Sequence, residues 1–166
     1  MPAGEQARQE KRGGAGRLLV TPLGLSPGVV YSAVRLTRPA TLLVVTSASA
    51  EVQLAEALER ANAQARTVVR VMADPHAGFR EFGALLDAEV QEAIRASDEV
   101  LVNITGGTTV MQYVVQRIAE TAQSLGAPTR RFALVDRRPV EAQRANPYVL
   151  GEIVWLDDEE TTDATG

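Results

Sequence analysis

Short apolar runs alternate along the chain with longer segments in which apolar residues recur every three or four positions. Short runs rich in Val and Leu are typical of strands buried on both faces, and the longer period is typical of amphipathic helices. The pattern predicts strands at residues 17–22, 41–46, 67–71, 99–104, 131–136 and 152–156. It predicts helices between them at residues 27–36, 50–63, 78–96 and 108–125.

This alternation predicts an α/β fold: a Rossmann-like three-layer sandwich with a mostly parallel sheet of about six strands. We expect the domain to span residues 17–156, between a flexible N-terminal tail at 1–16 and an acidic disordered tail at 157–166. In such folds ligands bind beyond the carboxyl ends of the strands, near the point where strand order reverses. The loops of interest therefore follow strands, at residues 21–28, 46–50, 72–78, 104–109 and 136–148.

The first of these loops reads TPLGLSPG, from Thr21 to Gly28. Ser26, preceded by Leu25, would present its hydroxyl and its backbone N–H at a helix N-terminus, where the helix dipole favours an anion. Capping of the helix by Ser26 explains the same residue equally well. The loop alone does not decide between the two.

The fourth loop reads NITGGTTVM, from Asn103 to Met111. Its two glycines allow a close backbone approach to a ligand, and its side chains offer an amide and several hydroxyls. These groups suit a phosphate. The alternative is an ordinary junction between a strand and a helix. The residues concerned are Asn103, Thr105, Gly106, Gly107, Thr108 and Thr109.

Composition excludes several classes of protein. The net charge of −4 argues against a binder of duplex nucleic acid. The chain has no Cys and a single His, His76, so we expect no metal and no other cofactor. No apolar run approaches the roughly 18 residues of a membrane span, and no secretory signal is apparent, so a cytoplasmic protein is expected. Neither GxxxxGK[ST] nor GxGxxG occurs, which disfavours a P-loop or nicotinamide enzyme.

The segment TPLGLSPGVVYSAV, followed about 80 residues later by VNITGGTTVM, resembles the CRISPR-associated Rossmann fold (CARF) domain. The resemblance covers residues 17–156, and the first loop is most similar to those of CRISPR-associated ring nucleases and of the sensor halves of messenger-activated CRISPR ribonucleases. It implies a homodimer that binds a cyclic oligoadenylate, of four or six adenylates, the second messenger of type III CRISPR immunity.

Some members of this family also cleave the ring without a metal. The ring's own 2′-hydroxyl attacks the adjacent phosphodiester and leaves a linear product with a 2′,3′-cyclic phosphate. The resemblance then implies Ser26, Thr109 and Arg137 as catalytic residues. It implies as ligand-binding residues Leu25, Ser47, Asn103, Thr105, Gly106, Gly107, Thr108 and Arg138.

The sequence departs from the family at Thr109, where a Lys is common. Arg137 and Arg138, which follow the fifth predicted strand, are the candidate replacement cations, although a solvated pair is the simpler interpretation. Ser47, with Ser49 beside it, would either contact an adenine or cap the next helix.

Three hypotheses follow. The first is a ring nuclease that switches the response off, since no effector domain is expected after residue 156. The second is a non-catalytic sensor, sponge or regulatory subunit. The third is a Rossmann-like enzyme that acts on a mononucleotide or a sugar phosphate.

The segment from Arg70 to His76 matches the R-x4–6-H signature of HEPN ribonucleases. We reject this interpretation because Arg70 lies in a predicted strand and Pro75 disfavours a helix. His76 is expected either in a loop near the mouth of the site or merely exposed. Phe79, Phe82 and Trp155 are expected in the core.

Overall fold

The computed structural model describes residues 16–157, so most of the predicted N-terminal tail and all but the first residue of the acidic tail lie outside it. One sheet contains all the strands of this part of the chain, in the order β3-β2-β1-β4-β5-β6, and only β6 runs antiparallel to its neighbour. This confirms the predicted α/β fold. The strands are β1 (Arg17–Leu23), β2 (Thr41–Ser47), β3 (Arg66–Met72), β4 (Glu99–Asn103), β5 (Thr129–Val135) and β6 (Glu152–Trp155).

Helices cover both faces of the sheet. They are α1 (Gly28–Thr37), α2 (Ala48–Glu51), α3 (Leu54–Arg60), α4 (Phe82–Leu85), α5 (Ala88–Ala96), α6 (Thr109–Ser124) and α7 (Val140–Ala145), with a 3₁₀ turn at Phe79–Glu81. Neighbouring residues of β1 serve opposite faces: Leu18 and Val20 pack with α5 and α6, whereas Leu19 packs with α1 and α3. Both faces of each central strand are therefore buried, which explains the nearly continuous apolar runs.

The predictions of single helices at residues 50–63 and 78–96 were wrong. The first is divided at Val52 and Gln53, and the second is divided before α5. The second break arises because the Asp87 carboxylate accepts a hydrogen bond from the Val90 N–H at 3.1 Å and so begins a new helix. Helix α7 was also unforeseen, in a segment expected to be a loop.

The sheet order places the reversal between β1 and β4. The chain leaves β1 into α1 on one face and leaves β4 into α6 on the other. Since the two strands are parallel neighbours, the loops that follow them open side by side at one edge of the sheet. This edge is where open α/β sheets bind ligands.

Three further observations bear on the expectations. Phe79 was expected in the core but is 44% exposed, with its ring against Tyr113 at 5.4 Å; Phe82 and Trp155 are half-buried against the two core clusters. Asp157, the first residue of the predicted acidic tail, accepts hydrogen bonds from the backbone and the guanidinium of Arg131. Within residues 16–157, no helix has the length and apolar character needed to cross a membrane.

Candidate functional site

The loops after β1 and β4 touch through two glycines. A Cβ atom built on Gly24 would lie 2.6 Å from the Cα of Gly107, so any side chain there would push the loops apart. Gly106 and Gly107 have φ angles of +91° and +71°, which L side chains adopt only with strain. The close approach of these loops therefore depends on glycine on both sides.

Asn103 holds the base of the same junction. Its side chain is fully buried, and its amide donates to Thr21 Oγ1 at 3.0 Å and to the Thr105 carbonyl at 3.3 Å. Its amide oxygen accepts from the Thr105 N–H at 3.0 Å. All three contacts lie within the protein, so Asn103 links the end of β4 to β1. Its predicted contact with ligand stays a prediction.

The threonines of this loop occupy different positions. Thr105 Oγ1 accepts from the Leu134 N–H at 2.8 Å, and Thr108 Oγ1 caps α6 by accepting from the Met111 N–H at 3.2 Å. Thr109, the first residue of α6, is exposed. Within the described chain the backbone N–H groups of Gly106 and Gly107 have no acceptor, so they are available to a ligand.

Ser26 does not cap α1 through its side chain. Pro27 takes the capping position with φ −69° and ψ −16°, and α1 has no side-chain cap. The Ser26 side chain is exposed, and its hydroxyl has no hydrogen-bond partner among residues 16–157. Leu25 beside it is 86% exposed. Both side chains are therefore open to contact with a ligand, and their roles in binding and catalysis stay predictions.

A crevice of about 470 Å³ lies between the loops that follow β1, β2, β3 and β4. Ser47 caps α2 by accepting from the Ala50 N–H at 3.2 Å and lies 3.3 Å from the Ser49 hydroxyl. Its capping role is thus observed, whereas its contact with a ligand stays a prediction. The crevice is lined by Gly24, Leu25, Ser26, Ser47, Ser49, Ala50, Pro75, His76, Gly106, Gly107, Thr108 and Met111.

A second cavity, of about 200 Å³, lies on the other side of Ser26 and includes Arg138. The Arg138 guanidinium donates to both oxygens of Asp136, at 3.0 and 2.8 Å, and to the Asn146 carbonyl at 3.0 Å. This pairing holds the pKa of Asp136 below its ordinary value and raises the pKa of Arg138. Arg138 thus stands near Ser26, but its charge is matched by a carboxylate.

Arg137 points elsewhere. Its guanidinium pairs with Glu152 of β6 at 2.5 Å, and its side chain is 74% exposed. Arg137 lines none of the cavities that include Ser26. The structure therefore brings Arg138, and not Arg137, towards the other candidate residues.

Two other sequence features are resolved by the fold. Arg70 lies in β3 and pairs with Asp87 and Glu89. The hydrogen bonds and charges of these two carboxylates raise the pKa of Arg70, and the hydrogen bond from Arg70 lowers the pKa of Asp87. His76 lies in the loop after β3, as expected, and lines the crevice. No group of three His, Asp or Glu side chains within residues 16–157 is arranged to hold a metal.

The sequence analysis did not predict the second cavity. Its wall includes Gln143 of α7, a helix that the pattern did not reveal. The available signal was the Asp-Arg-Arg run that begins at Asp136, directly after β5.

Comparisons with known proteins identify solved structures with a similar fold. No protein-family model matches the sequence, and no curated protein matches it. Among solved structures, Can2 from Sulfobacillus thermosulfidooxidans in complex with cyclic tetra-adenylate aligns with a TM-score of 0.56 and 12% identity, over 71% of this chain and 32% of Can2. A type III CRISPR defence DNA nuclease activated by cyclic oligoadenylate aligns with a TM-score of 0.52 and 24% identity, over 70% of this chain and 18% of the nuclease.

The chain shares its fold with these two proteins. It spans about a third of the length of the first and less than a fifth of the second. At these identities the likeness concerns the fold of the aligned region alone.

Proposed function

We propose that this chain is a CARF-type domain that binds a cyclic oligoadenylate in the crevice beyond β1 and β4. The observation that carries the proposal is the Gly24–Gly107 contact, which joins the two loops that resemble the family's ligand-binding motifs. The fold shared with two proteins that bind or respond to cyclic oligoadenylates supports the same ligand.

The crevice offers donors for phosphate and little charge. Among residues 16–157 the N–H groups of Gly106 and Gly107 have no acceptor, and they lie next to the N-terminus of α6, whose dipole favours an anion. Hydroxyl groups of Ser26, Ser47 and Thr108 line the same crevice. Such a site recognises a phosphodiester through hydrogen bonds from fixed positions, which suits a small anionic ligand in a chain with a net charge of −4.

We further propose that the domain acts as a homodimer, with two crevices facing one ring across a two-fold axis. A ring with an even number of identical units matches that symmetry. Leu25, which is largely exposed at the crevice, is a candidate for contact with the ring or with the second copy.

The catalytic part of the proposal is cleavage of the ring without a metal. A ribose 2′-oxygen attacks the adjacent phosphorus, the bond from phosphorus to the 5′-oxygen breaks, and the proton lost by the 2′-hydroxyl is returned through water to the 5′-oxygen. The product is linear, with a 2′,3′-cyclic phosphate and a 5′-hydroxyl. Ser26, whose exposed hydroxyl has no partner in the described part of the chain, orients the attacking group, and the reaction depends on positioning and electrostatics.

Arg137 and Arg138 are the two candidate sources of positive charge for the reacting phosphate. Thr109 supplies only a hydroxyl at the position where the family often has Lys. Arg138 lines the cavity that adjoins Ser26, whereas Arg137 is turned towards Glu152. We therefore assign the supporting charge to Arg138 in place of Arg137.

The test incubates the purified chain with labelled cyclic tri-, tetra- and hexa-adenylate in excess EDTA and separates the products over an hour. Linear product with a cyclic phosphate is expected, and Ser26→Ala should lower its rate by at least tenfold, about 1.4 kcal/mol of activation free energy. Ser97→Ala is the matched control, because Ser97 lies at the C-terminal end of α5 and lines none of the crevice. Equal rates for the two variants would remove Ser26 from the mechanism.

A second candidate function is a non-catalytic sensor. Two observations favour it. Thr109 supplies no charge, and Arg138 is paired with Asp136. Within residues 16–157, no arginine or lysine side chain lines the crevice. An intact ring that remains bound to the protein in the same assay would support this function and exclude the nuclease.

A further inference from the structure

The crevice contains one ionisable side chain in the described part of the chain, that of His76. The elements that surround it, namely the loop after β1, the start of α2, the loop after β4 and Met111 of α6, present only neutral groups to the crevice. The imidazole itself has no hydrogen bond or ion pair with any residue of this part of the chain. The His76 side chain is exposed and, as far as residues 16–157 are concerned, without a partner at the position where the ring is proposed to bind.

The loop that carries His76 is held by two carboxylates. Asp74 Oδ1 accepts from the N–H groups of His76 and Ala77, both at 3.0 Å. The Glu81 carboxylate accepts from the N–H groups of Ala73 and Asp74, at 2.7 and 2.8 Å. Both acids therefore bind backbone, and they fix the loop at the crevice.

We propose that His76 is a ligand-contacting residue whose protonated imidazole pairs with a phosphate of the cyclic oligoadenylate. This inference rests on the proposed function. Every phosphodiester of the ring carries a negative charge, and the other donors at the crevice are neutral hydroxyl and N–H groups. A hydrogen bond from a charged donor to a phosphate is stronger than one from a neutral donor. His76 thus supplies a charge that Thr109 does not.

The consequence is an affinity for the ring that rises as the pH falls. Histidine in general titrates between pH 5 and pH 8. Asp74 and Glu81 of its own loop bind the backbone beside His76, and aspartate and glutamate ordinarily stay ionised over that range. The phosphodiesters also stay ionised, so a change in affinity across this range would report on the histidine.

The experiment measures the dissociation constants of fluorescent cyclic tetra- and hexa-adenylate at pH 5.5 and pH 8.0, at constant ionic strength, with the full chain. The wild-type protein should bind about fivefold more tightly at pH 5.5, as expected for one partly exposed ion pair. His76→Gln keeps a polar side chain of similar reach and should bind equally at both pH values, close to the wild-type value at pH 8.0. His76→Arg should bind tightly at both. Melting temperatures verify that each variant is folded.

The two proposals fail in different ways. If the wild-type protein binds the ring with the same affinity at both pH values, and His76→Gln binds as well, the role of His76 is refuted and the proposed function stands. If no variant binds any ring, the proposed function is refuted, and the role of His76 falls with it.

Discussion

Replacement of Asn103 by Asp tests the buried amide that links β4 to β1. The amide N–H₂ group donates to Thr21 Oγ1 and to the Thr105 carbonyl, and the Thr21 hydroxyl itself donates to the Pro22 carbonyl at 3.1 Å. One oxygen of an ionised carboxylate at this position would keep the Thr105 N–H, but the other oxygen would face two acceptors. Because the site is fully buried, we expect Asn103→Asp to lower the free energy of unfolding by about 3–4 kcal/mol at pH 7.

The penalty should depend on pH with a definite sign. Burial raises the pKa of the introduced carboxyl above the value of about 3.9 in the unfolded chain. Below that pH both states are protonated, and the neutral acid can donate to Thr21, so the penalty is small. Above it the penalty grows by about 1.4 kcal/mol per pH unit until the pH reaches the pKa of the folded state. Asn103→Ala, which loses all three hydrogen bonds of the Asn103 side chain, should cost about 2–4 kcal/mol at every pH.

The assay is urea unfolding between pH 4 and pH 8, followed by the fluorescence of Trp155, whose ring lies 5.3 Å from that of the buried Phe132. Asn62→Asp is the matched control, because Asn62 is exposed and the change should be below about 0.5 kcal/mol. The assignment of Asn103 as a buried link would be refuted if Asn103→Asp were as stable as Asn62→Asp at pH 7.

Two further predictions concern other parts of the fold. Gly24→Ala should lower the free energy of unfolding by about 1–3 kcal/mol, because its methyl group would overlap Gly107. Gly83→Ala is the control, because a Cβ atom at Gly83 meets no atom within 4 Å and should change stability little. Equal melting temperatures for the two variants would contradict the loop contact. Arg131 lowers the pKa of Asp157, so their pair stabilises the fold above about pH 4 and the stabilisation is lost as the pH falls through the pKa of the folded state. Asp157→Asn should therefore cost about 1 kcal/mol at pH 7 and progressively less as the pH falls below about 4, and a difference from wild type that did not shrink at all between pH 7 and pH 3 would count against the pair.

The fold could be predicted because its signal is local. The strands β1, β2 and β4 are buried on both faces, so most residues in these segments are apolar, and the runs of Val and Leu can be recognised in the sequence. The helix breaks could not be predicted in the same way, since apolar spacing continues from Leu85 through Val90. The break depends on the Asp87 side chain, which caps α5 and pairs with Arg70 from β3.

The candidate loops could be located from the sequence, but the directions of their side chains could not. Arg137 and Arg138 are adjacent in the chain, yet one pairs with Glu152 of β6 and the other with Asp136 at the end of β5. The partner of Arg137 lies 15 residues away, so only the antiparallel pairing of β6 brings it close. The direction of the Asn103 side chain also depends on a distant partner, because Thr21 lies 82 residues away in the sequence.

The distribution of charge constrains how the proposed nuclease would work. Hydroxyl and N–H donors bind a singly charged phosphodiester, and they stabilise a transition state only so far as its charge grows at the positions that they face. Added positive charge favours the more highly charged transition state over the ground state. The charge of Arg138, which we assign to the reacting phosphate, is already matched by Asp136, and Thr109 is neutral. Within residues 16–157, His76 is the one ionisable side chain that lines the crevice. We therefore expect a domain that retains its ring tightly and cleaves it slowly, with the chemical step and not product release setting the rate.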